Sequence, residues 1–222
     1  MAKVRSDEQE AYWAKPGHRR SPDHPAVAAM ARPKIDWIVG ALGLSPGERP
    51  TMVEVGAGSG YFSVPLAEHF ELTCVDFSQA MLDTNPLPPT RKRLGDAQAL
   101  ALTDKSFDIG FCGNLLHHLP EPVRALRELG RVSRRAVVVI EPNATNPLMF
   151  AFAAMKAAER GALKFTAAHV RALGREAGLE LQCFVTHGSI VPNATPVPLV
   201  PVLQRVDIAW PLGFYHVAIF RP

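Results

Sequence analysis

The sequence predicts an α/β fold, because strand-like apolar runs alternate with helix-like segments over most of its 222 residues. Three stretches carry this prediction: a strand–turn–helix–strand unit, a wholly apolar run and an alternating run, at residues 51–76, 136–140 and 214–220. A run without polar residues is typical of a central parallel strand, which is buried on both faces. The length suits one large domain or a core domain with an added segment.

The stretch 51–76, TMVEVGAGSGYFSVPLAEHFELTCVD, organises the rest of the chain. Its first apolar run enters a turn that contains Gly56, Gly58 and Gly60, and its second ends at Asp76. This is the pattern of a βαβ unit that binds a nucleotide-like ligand. Glycines let the backbone approach the ligand and adopt the turn, and the carboxylate can accept hydrogen bonds from both ribose hydroxyls.

The spacing of the glycines argues against a dinucleotide. The dinucleotide-binding motif G-x-G-x-x-G would place its third glycine at position 61, where this chain has Tyr61. A tyrosine there would obstruct the close helix–strand packing and the approach of a diphosphate. A glycine pattern alone is weak evidence for a particular ligand, so the ligand has to be identified from the surrounding motifs.

Four segments resemble, in order, the motifs of the class I S-adenosylmethionine-dependent methyltransferases: VEVGAGSGYFS, VDFSQAML, GDAQAL and FDIGFCGNLLHHLPEPVRALRELGRV. The branch most similar to this chain acts on small molecules and includes quinone-biosynthesis enzymes. The resemblance implies a Rossmann-like three-layer sandwich with a seven-stranded, mostly parallel sheet in the order 3-2-1-4-5-7-6, the last strand antiparallel. One departure is the turn before the fifth strand, where Ser133-Arg134-Arg135 replaces a longer glycine-containing turn.

The resemblance also implies S-adenosylmethionine as the cofactor and assigns residues to it. Asp76 would bind the ribose hydroxyls, and Asp96 would meet the adenine amino group. The full set of expected cofactor residues is Glu54, Gly56, Ala57, Gly58, Gly60, Asp76, Phe77, Met81, Asp96, Ala97 and Asn114. For Glu54 a role near the cofactor's amino group competes with a packing role, and Asn114 is expected at the methionine end.

Two histidines after the fourth strand are candidates for the chemistry. Methyl transfer needs an aligned acceptor and, for a hydroxyl, carbon acid or protonated amine, a group that removes a proton. His117 is the predicted catalytic base, because a catalytic histidine of plant small-molecule O-methyltransferases occupies a similar place. His118 is a predicted substrate contact. A structural role is the alternative for both, since Leu-His-His also occurs in members where neither histidine is a known base.

The substrate wall is expected from the N-terminal segment and from the end of the fifth strand. Residues 1–50 are predicted to form a helical or lid segment on a core domain of residues 51–222, with Tyr12 and Trp13 as substrate contacts, although a disordered arm is the alternative. Asn143 could orient an acceptor or begin a helix. The apolar residues Leu148, Phe150, Phe152 and Met155 are expected in the core, with a substrate cap as the alternative.

Composition narrows the class of protein. The formal net charge is +3 with scattered basic residues, which argues against nucleic acid as the main partner. No metal-ligand spacing, signal region or run of about 18 apolar residues is present, so we expect a cytoplasmic protein without a metal or a membrane span. The oligomeric state stays open.

The expected function is methyl transfer to an apolar or aromatic small molecule. An excess of Arg over Lys and 20 prolines suggest a GC-rich bacterial genome and a role in secondary metabolism. One alternative is an enzyme that uses the bound sulfonium for cyclisation or decarboxylation. Another is a non-catalytic scaffold.

Overall fold

A seven-stranded sheet in the order β3-β2-β1-β4-β5-β7-β6 forms the centre of the computed structural model, which describes residues 19–206 and 209–222. The strands are β1 (Thr51–Val55), β2 (Glu71–Asp76), β3 (Lys92–Leu94), β4 (Phe107–Gly113), β5 (Ser133–Pro142), β6 (Glu180–His187) and β7 (Tyr215–Arg221). β7 runs antiparallel to both of its neighbours, and the other pairs are parallel. The predicted fold class, strand order and antiparallel last strand are confirmed.

Helices cover both faces of this sheet. They are α1 (Pro25–Ala41), α2 (Ser63–His69), α3 (Gln79–Thr84), α4 (Pro122–Val132), α5 (Pro147–Met155), α6 (Ala167–Glu176) and α7 (Val200–Arg205). Short 3₁₀ turns cover Pro89–Arg91, Leu116–His118, Ala157–Lys164 and Val197–Leu199. α1 and α2 pack in one buried apolar cluster and α4 and α6 in another, which gives the three layers. No helix among these described residues is long and apolar enough to cross a bilayer.

Helix α1 joins the N-terminal part of the chain to the core. Its buried residues Met30 and Ile35 lie in the same apolar cluster as Met52 of β1. The sequence pattern of residues 26–42 predicts a helix that is interrupted near Pro33, but α1 is one helix that continues through this proline. Burial on both sides of Pro33 offsets the lost backbone hydrogen bond, which typically costs about 3 kcal/mol. The proposed domain boundary at residue 50 stays a prediction.

Two local expectations around β5 are also wrong. Residues 133–135 are not a turn, since β5 begins at Ser133 directly after α4. The sequence pattern of residues 146–160 predicts one helix, but the helix ends at Met155 and a 3₁₀ segment follows the extended Lys156. The reason lies at Gly161, where an added Cβ would be 1.8 Å from the carbonyl oxygen of His117. The segment turns inward to make this contact, which a straight helix would not reach.

The fold brings the functional candidates to one edge of the sheet. β1, β2, β4 and β5 are parallel, so their carboxyl ends all lie at this edge. The strand order reverses between β1 and β4, and open α/β sheets bind ligands in the crevice at such a point. The glycine turn follows β1 there, and Asn114 follows β4.

Candidate functional site

The turn after β1 requires glycine. Gly56, Gly58 and Gly60 have φ angles of +74°, +52° and +91°, in the left-handed region that disfavours side chains. At Gly56 an added Cβ would also lie 2.8 Å from the side chain of Leu115. The turn is therefore fixed by both backbone conformation and close packing against the segment after β4.

Asp76 ties the end of β2 to this turn. The backbone N–H of Gly58 donates to its Oδ2 at 2.8 Å, and that of Ser78 donates to its Oδ1 at 2.9 Å. Burial raises the pKa of the carboxyl group, while the two backbone donors oppose that shift. Each carboxylate oxygen has a second lone pair, so Asp76 can also accept hydrogen bonds from a bound ligand.

Two cavities open at this edge and meet beside the turn. The acid cavity, about 260 Å³, is named for Asp76 and Asp96 in its wall, and the histidine cavity, about 270 Å³, for His117. The residues that line both cavities mark their junction: Gly56, Gly58, Met81, Asn114 and His118.

The acid cavity collects most of the predicted cofactor residues. Its wall includes Gly56, Gly58, Asp76, Phe77, Met81, Asp96, Ala97 and Asn114, and Ala57 lines the adjoining histidine cavity. Gly60 lies on neither wall, and an added Cβ there would be 3.0 Å from Asn85 and Pro86. Gly60 therefore helps to fix the turn on the side that packs against Asn85 and Pro86, and it does not face either cavity.

Glu54 also lies on neither wall. Its carboxyl group is buried and accepts a hydrogen bond from the hydroxyl of Ser63 at 2.5 Å. Asn85, next to Gly60, donates to the same hydroxyl at 2.9 Å. Burial raises the pKa of Glu54 to about 8. Glu54 thus belongs to a buried polar network that supports the glycine turn.

Asn114 offers a buried acceptor at the junction of the cavities. It has a φ of +54°, uncommon for a residue with a side chain, and its N–H donates to the carbonyl of Ile140 at 2.7 Å. Its Oδ1 is buried and has no hydrogen-bond partner among residues 19–206 and 209–222. A buried acceptor of this kind favours a ligand that brings a hydrogen-bond donor.

His117 is held between two carboxylates. Its Nδ1 lies 2.6 Å from Oε2 of Glu141, and its Nε2 lies 3.2 Å from Oε2 of Glu159. Burial alone would lower the pKa of His117, but the two carboxylates outweigh it and raise the pKa to about 9. Near neutral pH the ring is therefore an imidazolium that donates from both nitrogens.

The two carboxylates have different supports. Glu141 is buried at the end of β5, and its Oε1 accepts from the N–H groups of Leu115 and Leu116 at 3.0 and 2.6 Å. Glu159 lies on the 3₁₀ segment that Gly161 brings against His117. Burial would raise the pKa of Glu159, but the neighbouring histidines, His117 first, lower it to about 2. Glu141 is thus part of the sheet edge, and Glu159 belongs to a covering segment.

His118 packs on His117 with ring centroids 3.9 Å apart and lines both cavities. Burial, with His117 beside it, lowers the pKa of His118 to about 3, so its ring is neutral. Ligand atoms of His117, His118 and Glu159 lie within 4.8 Å of one another, close enough to hold a metal ion. A metal would have to displace the proton on Nε2 of His117, which the ion pair with Glu159 retains.

The first described residues lie at the mouth of the histidine cavity. Arg19 lines it, and Nη1 of Arg20 donates to the carbonyls of Pro192 and Thr195 at 2.9 and 2.6 Å. Oδ1 of Asn193 accepts from the N–H of Arg20 and from the Tyr61 hydroxyl. These bonds form a clasp between residues 19–20, Tyr61 and the loop after β6. Tyr12 and Trp13, the predicted substrate contacts, lie outside the described residues.

The side-chain amide of Asn143 is hydrogen-bonded to other protein groups. Its amide donates to the carbonyls of Pro211 and Gly213 at 3.2 and 2.8 Å, and its Oδ1 accepts from the N–H of Thr145. It lies on the wall of neither cavity. Asn143 therefore fixes the connection before β7 against the start of α5.

Several residues that the sequence did not indicate contribute to the site. Glu159, Lys156 and Asn193 all line the histidine cavity. Glu159 is 42 residues from its partner His117, and no motif or spacing links the two. One feature of the sequence could have indicated that this segment leaves the helical path. Gly161 lies two residues after Glu159, inside an otherwise helix-like segment.

Comparison with known proteins finds methyltransferases. Residues 53–140 match the family described as "Methyltransferase domain". Over 100 residues the chain is 36% identical to a demethylmenaquinone methyltransferase of Renibacterium salmoninarum, covering 44% of this chain and 41% of that protein. Over 130 residues it is 30% identical to a malonyl-[acyl-carrier protein] O-methyltransferase of Serratia marcescens, covering 55% and 48%. The chain thus spans less than half the length of these curated relatives.

The fold has solved counterparts. A SAM-dependent methyltransferase from Thermotoga maritima matches with a TM-score of 0.64 and 22% identity, covering 87% of this chain and 90% of that chain. At this identity the likeness concerns the fold. It extends beyond residues 53–140 to most of the chain.

Proposed function

Because the chain belongs to the class I S-adenosylmethionine-dependent methyltransferase family, we propose that it transfers a methyl group from S-adenosylmethionine to a small-molecule acceptor. One observation carries the proposal: two cavities of similar size meet at Gly56, Met81 and Asn114. A donor in one cavity and an acceptor in the other would face each other at this junction. Methyl transfer requires this alignment of the reacting groups.

The residues of the site fit the cofactor. Asp76 would accept hydrogen bonds from the ribose hydroxyls, and Asp96 would accept from the adenine amino group. The unpartnered Oδ1 of Asn114 fits the ammonium group of the methionine moiety. Arg19 lines the histidine cavity, and its positive charge would pair with the carboxylate of the methionine moiety. When bound, the cofactor supplies a methyl group already activated by positively charged sulfur.

The residues that line the histidine cavity favour a methyl acceptor that is largely apolar or aromatic. Met149, Phe152 and Tyr215 line the histidine cavity and would pack against such a molecule. Lys156, whose ammonium lies 4.4 Å from the ring centroid of Phe152, adds one positive charge to this wall. The proposed acceptor is therefore a largely apolar molecule whose reactive atom reaches the junction.

We propose that His117 accepts the acceptor's proton after Glu159 has moved away from Nε2. While both carboxylates hold the ring, each nitrogen carries a proton and the ring has no lone pair to offer. Without Glu159 the pKa of His117 would fall towards its ordinary range, so Nε2 could release its proton to water and offer a lone pair, while Glu141 would still fix the ring through Nδ1. An acceptor that enters between the two side chains would make this change.

Calorimetric titration with S-adenosylmethionine tests the cofactor, with NAD as the control ligand. S-adenosylhomocysteine released in the presence of hydroxyl, amine and activated-carbon acceptors tests methyl transfer. His117→Gln should lower turnover and leave cofactor affinity nearly unchanged. Tight binding of NAD instead of S-adenosylmethionine would refute the proposal. Turnover of an acceptor without S-adenosylhomocysteine would point to a reaction other than methyl transfer.

A further inference from the structure

Helix α5 exposes apolar residues along one side. All nine of its residues, PLMFAFAAM, are apolar, and only Met149 and Ala153 are buried. Leu148, Phe150 and Met155 are 67%, 49% and 84% exposed, which makes the expectation of a core position wrong for these three. Six residues form the exposed side, which we call the α5 arc: Pro147, Leu148, Phe150, Ala151, Ala154 and Met155.

A second apolar element lies beside the start of this helix. Asn146, the N-cap of α5, donates to the carbonyl of Leu212. That bond holds the turn after residue 209 next to the α5 arc. Trp210 and Leu212 in this turn are 44% and 42% exposed. Large apolar side chains gathered at one place on a surface mark an interaction site, whereas single exposed ones are ordinary.

Positive charge borders the arc. Lys156, Arg160 and Lys164 follow α5 directly and are exposed. The sole carboxylate of residues 147–164 is Glu159, which is turned inward to His117. The exposed apolar side chains of the arc could enter the apolar part of a bilayer, while the bordering basic residues would remain at the level of the headgroups. Negatively charged lipid headgroups would complement these side chains.

The inner side of the same helix leads to the acceptor site. Met149 and Phe152 of α5 line the histidine cavity, as do Lys156 and Glu159 just after it. A molecule leaving an apolar phase at the α5 arc would therefore pass along α5 into this cavity. A second copy of the chain fits the arc less well, because a stable interface needs about 20–30 residues on each side. α5 is about 14 Å long and offers six exposed residues.

We infer that the α5 arc docks on an anionic lipid bilayer and that the methyl acceptor is an amphiphile taken up from it. The acceptor part of this inference rests on the proposed function. The docking part does not, since it can be measured without cofactor or turnover.

Flotation with vesicles of equal parts phosphatidylglycerol and phosphatidylcholine tests the docking. The variant Leu148→Gln/Phe150→Gln/Met155→Gln should bind these vesicles about tenfold more weakly than the wild type. Its matched control is Leu94→Gln, since Leu94 is 62% exposed on β3, with three strands between it and β5. This control should bind like the wild type. Arg160→Gln/Lys164→Gln and higher ionic strength should each weaken binding to the anionic vesicles.

Cofactor titration of the triple variant separates this inference from the proposed function. Unchanged affinity for S-adenosylmethionine together with lost vesicle binding supports the docking surface. Failure of the wild type to bind vesicles, or equal binding by the triple variant, would overturn it. So would a wild-type dimer in light scattering that the triple variant dissociates, because the arc would then be a subunit interface.

Discussion

Nε2 of His117 lies 3.2 Å from Oε2 of Glu159 and joins the edge of the sheet to the segment that covers the histidine cavity. The sheet-side partner, Glu141, is fixed by two backbone N–H groups, whereas Glu159 depends on the position of its own segment. The charge of His117 is therefore coupled to whether this segment is closed.

Glu159→Gln should lower the pKa of His117 from about 9 towards its ordinary value of 6.5, because one of two stabilising carboxylates is lost. Titration of the ring nitrogens by NMR measures this directly. Glu121→Gln, a change of an exposed glutamate, is the control. An unchanged pKa of His117 in Glu159→Gln would show that the ion pair does not form in solution.

The same ion pair should make stability depend on pH. The pKa of His117 is raised from 6.5 to about 9 on folding, so its contribution is full below pH 6.5 and is lost as the pH rises through 9. The pKa of Glu159 is lowered from 4.5 to about 2, so its contribution is lost as the pH falls from 4.5. Between these limits Glu159→Gln should cost about 1.5–3 kcal/mol in urea unfolding. An equal cost at pH 6 and above pH 9 would contradict this assignment.

Glu54→Gln should remove a decrease in stability between pH 4.5 and pH 8. Burial raises the pKa of Glu54 from 4.5 to about 8, so the folded protein retains a proton that the unfolded chain releases. Wild-type stability should therefore fall from pH 4.5 to 8, and the neutral glutamine should remove that part of the fall. Urea unfolding at several pH values measures the difference between the two proteins. Parallel curves would mean that Glu54 titrates normally in the fold.

Gly161→Ala should displace the covering segment. The new Cβ would lie 1.8 Å from the carbonyl oxygen of His117, so the backbone must shift, at a cost of about 1–3 kcal/mol. Gly40→Ala is the matched control, because Gly40 lies in α1 with no atom within 4 Å of an added Cβ. The control should gain about 0.5–1 kcal/mol in urea unfolding. Equal effects of the two substitutions would contradict the proposed contact.

Asp76→Ala should weaken binding of S-adenosylmethionine more than about tenfold, because the ribose hydroxyls would lose a charged acceptor. Asp83→Ala, a change of an exposed carboxylate on α3, should leave the affinity unchanged. Calorimetric titration measures both affinities. Unchanged binding by Asp76→Ala would refute the assignment of this residue to the ribose.

The parts of the fold and site that the sequence predicts are those set by local pattern. Positive φ angles and close packing permit little but glycine at Gly56, and Asp76 follows directly from the end of an apolar strand. The antiparallel β7 was expected only through the family resemblance, since nothing in its alternating pattern specifies direction.

Contacts between residues that are distant in sequence could not be predicted from the sequence. Glu159 reaches His117 because the chain leaves the helical path after Met155, and no residue before Gly161 signals that turn. Asn143 has the chemistry of a substrate ligand, but the carbonyls of Pro211 and Gly213, about 70 residues later, already use its amide. The apolar composition of α5 is equally compatible with a core helix, so its exposure could not be read from the sequence.

The clasp at the mouth of the histidine cavity links parts of the chain that lie far apart in sequence. Arg20, Tyr61 and Asn193 share one set of hydrogen bonds, so the rim of the mouth opens only when several bonds break together. We therefore expect these bonds to influence how fast a ligand enters and leaves the histidine cavity, a rate that is distinct from its affinity for the cavity wall.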